Sequence, residues 1–146
     1  MVKTKPVGVR VFAIWSFLAG ILIIIGGCAW LVEYTNAIQQ SATDELVKSW
    51  LPYFRDYAIV GILWIVSGVG LCISTFGLWN GKAWSKTINI LSNGGVVIGW
   101  AIIEWISFSF RLPASLLYLV LVLPVTYLFT GKAREYFKNA KNIASL

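Results

Sequence analysis

The stretch Phe76-Gly77-Leu78-Trp79-Asn80-Gly81-Lys82-Ala83-Trp84 decides the fold, because long apolar runs lie on both sides of it. The run before it, Tyr57–Trp79, and the run after it, Lys86–Ile106, each approach the ~20 residues that a helix needs to cross ~30 Å of hydrocarbon. The polar insert between them is too short for anything but a tight turn, so the two helices must be antiparallel neighbours. Physics explains its composition without a ligand. A glycine just past a helix end adopts the left-handed conformation that caps the last carbonyls. A lysine suits the negative end of the helix dipole and an anionic leaflet, and tryptophans anchor at the membrane interface.

Working outward, two further runs qualify, Val9–Leu31 and Ala114–Thr130. The last is short, which suits an upright helix or a locally thinned bilayer. Of the 146 residues, 58% are hydrophobic and 12% charged, against roughly 45–50% apolar in soluble domains. A membrane β-barrel would show ~10-residue alternating segments, and these runs are continuously apolar. The expected fold is therefore all-α: one integral membrane domain over residues 1–146, a four-helix bundle built from two antiparallel hairpins. The first run also invites a signal-peptide reading, since Ile25-Gly26-Gly27-Cys28 resembles the end of a lipoprotein signal. Its apolar core exceeds the ~7–15 residues of such signals, which favours a retained span.

Charge gives the orientation. Lys3, Lys5, Arg10, Lys82, Lys86, Lys132, Arg134, Lys138 and Lys141 fall on one side, and Lys48, Arg55 and Arg111 on the other. The positive-inside rule places the nine in the cytoplasm, with both termini. Glu33, Asp44, Glu45, Asp56 and Glu104 lean to the outer face, and Glu135 alone among the acids falls inside. The net charge of +6 could point to nucleic acid. Basic residues beside membrane spans are explained more simply by anionic lipid, so lipids and other membrane subunits are the expected partners and nucleic acid is not.

The outer connection, about residues 32–56, contains Ser41-Ala42-Thr43-Asp44-Glu45-Leu46-Val47-Lys48-Ser49-Trp50-Leu51. It reads as a short amphipathic helix capped by Ser41 or Thr43, with Leu46, Val47, Trp50 and Leu51 on one face and Pro52 as its stop. It would lie on the membrane surface, on a partner, or over its own bundle.

The opening stretch has an echo fifty residues on: Leu78-Trp79-Asn80-Gly81-Lys82-Ala83 against Leu128-Phe129-Thr130-Gly131-Lys132-Ala133. Trp79, Gly81, Lys82, Trp84, Gly131 and Lys132 are thus read as inner-interface anchors, and the hairpins as parallel repeats. A phosphate-binding loop is excluded, because Gly81-Lys82 lacks the upstream glycine and the following Ser or Thr.

The third run is the most polar. Lys86, Asn89, Asn93, Trp100 and Glu104 fall along one stripe, and Gly95 and Gly99 give a GxxxG spacing. Ser16/Gly20 and Gly70/Ser74 repeat that small-residue spacing. Asn89, Asn93, Gly95, Gly99 and Glu104 are the candidate helix-packing residues. Glu104 could instead be a proton or ion site, the default suspicion for an intramembrane carboxylate. Its depth, roughly 27 Å along the helix from Lys86, places it near the outer headgroups, within reach of Arg111.

Catalysis finds little material. There is no histidine, a single methionine and two cysteines, which removes histidine-based triads, histidine-ligated haem and the usual copper ligands. Cys28 and Cys72 lie at different depths, too far apart for a disulfide. Asp44 and Glu45 are adjacent on a helix and point apart. No catalytic residue, metal site or cofactor is expected; an enzyme role would require residues from another chain.

At Gly77-Leu78-Trp79-Asn80-Gly81-Lys82-Ala83-Trp84, and again at Tyr127-Leu128-Phe129-Thr130-Gly131-Lys132-Ala133-Arg134-Glu135-Tyr136-Phe137, the chain resembles a loose group of small prokaryotic four-span membrane proteins of unknown function. The resemblance covers the hairpin ends, implies a four-helix bundle and carries over no catalytic residues. In its lysine-rich, histidine-free, tryptophan-rich character the chain also looks like accessory subunits of archaeal respiratory or ammonia monooxygenase complexes. The expected function is a non-catalytic accessory subunit packing against larger membrane subunits. The alternative is a small oligomeric transporter or channel using Asn89, Asn93 and Glu104.

Overall fold

A computed structural model describes residues 6–107 and 124–144, and every described element is helical. Three long helices form the body: α1 (Val7–Gln40), α2 (Glu45–Trp79) and α3 (Ala83–Ser107). All three are long and apolar enough to cross a membrane. Residues 124–126 are helical and run into a 3-10 turn, Tyr127–Phe129, after which α4 (Gly131–Ala144) closes the described chain. Most of the expected fourth span, Ala114–Thr130, lies outside the described residues.

Apolar side chains cover the outside of the bundle as well as its inside. Leu22, Ile59, Val66, Phe76 and Leu91 are all exposed. In water such a surface would aggregate; in lipid it is the expected one, and it removes the usual driving force for packing. Helices then associate by van der Waals contact and buried hydrogen bonds. Both depend on how closely the backbones approach.

Glycines set that approach. A Cβ added at Gly20 would lie 2.8 Å from the Gly68 carbonyl oxygen, and one at Gly68 would lie 2.6 Å from the Gly20 carbonyl oxygen. Gly27 and Gly61 form a second reciprocal pair, with corresponding distances of 2.5 and 2.8 Å. One step further along, Thr75 Oγ1 donates to the Ala13 carbonyl at 3.2 Å. Ala13, Gly20 and Gly27 thus face Thr75, Gly68 and Gly61, a seven-residue repeat on each helix. That spacing holds a continuous seam against the partner helix, as in a left-handed coiled coil.

The other side of α2 meets α3 in the same manner. Gly77 packs on Ser85, Gly70 on Ser92, and Gly95 on Ser67. α2 is therefore the central helix. Its Leu71 closes an inner cluster with Ala19, Ile23 and Val96, flanked by Trp64.

The turn between α2 and α3 behaves as its composition dictates. Gly81 has φ 68°, the Lys82 N–H donates to the Gly77 carbonyl at 2.8 Å and the Gly81 N–H to the Leu78 carbonyl at 3.2 Å. These two bonds are the Schellman closure. Asn80 Nδ2 adds a bond to the Phe76 carbonyl at 2.9 Å.

Three expectations need correction. Pro52 does not stop a helix; it is carried inside α2, as its eighth residue. The cost is one lost backbone bond and a ring clash, roughly 3 kcal/mol. The long apolar segment that follows, packed along two neighbours, outweighs it. The outer connection accordingly shrinks from a loop with its own helix to residues 41–44. Its cap is Asp44, not Ser41 or Thr43: Asp44 Oδ1 accepts from the Leu46 and Val47 N–H groups at 2.8 and 3.3 Å. The carboxylate also suits the positive end of the dipole.

The third correction concerns the echo. Gly131 does not repeat the role of Gly81. Thr130 is extended (φ −67°, ψ 153°) and Gly131 opens α4, so it sits at the first helical position, where no left-handed conformation is needed. The chain breaks direction at both places, but by a capped stop at one and a helix start at the other.

Candidate functional site: a polar knot between three helices

Asn89, fully buried on α3, reaches both other spans. Its Nδ2 donates to Ser16 Oγ on α1 at 3.0 Å and to Ser74 Oγ on α2 at 2.9 Å. One turn later, Asn93 Nδ2 donates to the Asn89 side-chain oxygen at 3.0 Å and to the Asn89 carbonyl at 2.8 Å. Ser74 Oγ donates in turn to the Leu71 carbonyl at 2.8 Å. The amide can reach both hydroxyls because the glycine seams bring the three axes close. A buried amide has two N–H donors, and here each has a serine oxygen.

Trp100 and Glu104 lie further along the same face of α3, and Trp64 of α2 packs against Trp100. Trp64 and Trp100 stack with ring centroids 6.1 Å apart and planes 13° off parallel. Gly99 makes room for the Trp64 indole: a Cβ there would lie 2.6 Å from Nε1. Trp64 Nε1 and Glu104 Oε2 are buried and find no hydrogen-bond partner among the described residues. Arg111, the expected partner of Glu104, lies outside the described residues.

The sequence-predicted residues therefore divide into groups. Asn89 and Asn93 belong to the knot, Gly95 and Gly99 to the α2–α3 contact, and Glu104 to a separate place nearer the other end. Ser16 and Ser74, flagged from their spacing to Gly20 and Gly70, turn out to be Asn89's partners. Gly27, Gly61, Gly68, Ser67 and Ser92 were missed. Their signal was the seven-residue period rather than the four-residue one.

Aromatic residues mark two levels. Trp79 and Trp84 flank the Gly81 turn and are partly exposed. Trp30 stacks on Tyr57 with centroids 4.5 Å apart, and Trp105 is 81% exposed at the far end of α3. Along α2, Trp79 and Tyr57 are separated by about 33 Å, and along α3, Trp84 and Trp105 by about 32 Å. Those spans match the ~30 Å of a hydrocarbon core.

At the Gly81 level the returning chain plugs the bundle. Val125, Leu128 and Phe137 join Phe12, Ala13 and Leu78 in one cluster, with Tyr127 and Tyr136 packed on it. Tyr127 lies against Gly8, and Lys86 Nζ sits 4.7 Å above the Phe129 ring. Burial pushes the Tyr136 hydroxyl above the ordinary tyrosine range, and the nearby Arg10 charge partly offsets it. Ala133, Tyr136 and Phe137 form an i, i+3, i+4 face that marks α4 as amphipathic. It was not read as a helix in the sequence.

Among the described residues no three His, Cys, Asp or Glu side chains gather as metal ligands, and Cys28 and Cys72 are free thiols. Compared with models of protein families, with curated proteins and with solved structures, the chain matches none.

Proposed function

We propose that this protein is a non-catalytic helical subunit of a larger membrane assembly, with its α1–α3 bundle offering an apolar outer surface to neighbouring subunits and lipid. The observation that carries this reading is the closure of the polar knot. The donors of Asn89 and Asn93 are spent on Ser16, Ser74 and Asn89 itself, so Asn89 ties three helices together and Asn93 holds its amide in place. An open path would need some of those groups free for a passing solute. In this reading the Gly81 turn and both termini face the cytoplasm, the hairpin tip at residues 41–44 faces outward, and residues 114–130 supply the fourth span. A place in an archaeal respiratory or ammonia-oxidising complex would fit, as the resemblance suggests.

A photo-crosslinking residue placed at Ile98, on the exposed side of α3, should trap one defined protein partner in native membranes. Only lipid adducts at Ile98, Val66 and Leu22 alike, together with a stable monomer in mild detergent, would sink the proposal.

One observation favours a second reading, a small ion or proton carrier: the buried Glu104 Oε2 has no partner among the described residues. Flux into liposomes that Glu104→Gln abolishes and Asn93→Leu reduces would support the carrier. Inactive wild type across protons and small ions would remove it.

A further inference from the structure

The two ends of the bundle treat their cations differently. At the hairpin tip, Lys48 pairs with Glu45 at 3.1 Å and Arg55 with Asp56 at 3.1 Å. At the other end, Arg10, Lys82, Lys86, Arg134 and Lys138 gather from three helices and a turn. Among the described residues none of these five is paired with a carboxylate, although Glu135 is adjacent in sequence.

Packing fixes where these charges point. α4 spends its apolar face on the bundle, with Ala133 and Phe137 buried, and leaves Arg134 and Lys138 exposed. Those two stand four residues apart on one helix face, where like charges repel and weaken the helix unless an anion sits beside them. The 3-10 turn and α4 run across the end of the bundle, from Lys86 over Phe129 to Tyr136 packed near Phe12. The whole group is level with Trp79 and Trp84, where headgroups would lie.

We infer that this cationic end, with Arg10, Lys86, Arg134 and Lys138 as its main contacts, binds the phosphate headgroups of anionic phospholipids and selects them over zwitterionic ones. Phosphates supply the missing counter-charges, and the flanking tryptophans hold the acyl chains' upper ends. Free cations near an anionic leaflet each add to such binding, and the effect weakens with salt. The inference is independent of any partner subunit.

Native mass spectrometry of the full chain, released from nanodiscs of equal phosphatidylglycerol and phosphatidylcholine, reads the selection directly. Wild type should retain phosphatidylglycerol in clear excess. R134Q/K138Q, which alters only exposed side chains, should lower that excess by about fivefold for each charge removed. K48Q/R55Q removes as many cations at the other end and should leave it unchanged. High salt before release should reduce it in wild type. An R10Q/K86Q/R134Q/K138Q variant that elutes as wild type does and keeps the full excess overturns the inference. So does equal loss in K48Q/R55Q, absence of excess in wild type, or stoichiometric displacement of the lipid by a soluble polyanion such as RNA.

Discussion

Gly81 and Gly131 each open a Gly-Lys-Ala sequence and are told apart by their backbones. At Gly81, φ 68° is a conformation that a β-branched residue adopts only with strain. Gly81→Val should cost roughly 1–3 kcal/mol, read as a lower midpoint in denaturant titration of the reconstituted protein. Gly131→Ala should be neutral within about 0.5 kcal/mol, because no atom lies within 4 Å of a Cβ there and no positive φ is required. Equal losses at both sites would mean that the two turns are the same device after all. The glycine and lysine could be read as a turn from their order. Which glycine needed its missing side chain could not, since Thr130 and Asn80 begin the next helix and end the previous one respectively.

At the scale of the helices, small residues every seventh position and one misplaced proline do most of the explaining. Gly68→Val would drive a side chain into the Gly20 carbonyl, backbone that cannot give way. We expect it to separate α1 from α2 and to lower stability by about 3 kcal/mol or more, whereas Gly94→Ala, open on all sides, should be tolerated. Pro52→Ala should restore the helical bond lost at Lys48 and raise stability by up to about 3 kcal/mol. An unchanged midpoint would show that α2 is already bent there at no cost. The three long spans were legible because each is a continuous apolar run. The seams were not, since a glycine in such a run looks alike whether it faces a helix, an indole or lipid. Pro52 was misread because local propensity is a weak prior against two long packed faces.

For the molecule as a whole, the knot at Asn89 decides how three helices share one centre. Interhelical hydrogen bonds in membranes average about 0.6 kcal/mol and reach about 1.7. Asn89→Leu, losing two of them, should cost about 1–3 kcal/mol, and Asn93→Leu less. Measured in a double cycle with Ser74→Ala, the Asn89 effect should shrink, since the partner is already gone. Full additivity would mean that the bond contributes nothing. The plugged end adds a pH dependence. Because the Tyr136 hydroxyl is raised in the folded state, its contribution is intact below the ordinary tyrosine range and is lost as pH rises through its raised value. Tyr136→Phe should remove that alkaline component from an unfolding series.

Sequence alone determined the membrane class, the three spans and the turn at Gly81. Each follows from local quantities: apolar length, charge position and one permissive residue. It also singled out Asn89, because an amide inside an apolar helix is expensive wherever it lies. Only the tertiary structure decided that Asn89 meets Ser16 and Ser74, that Glu104 stands apart from that knot, and that α4 folds its apolar face back over Phe12 and Leu78. Those outcomes depend on the relative register of helices far apart in sequence, with Asn89 and Ser16 73 positions apart and Phe12 and Phe137 further still. Register is set by how closely backbones can approach, a property of pairs of surfaces that no single run of residues contains.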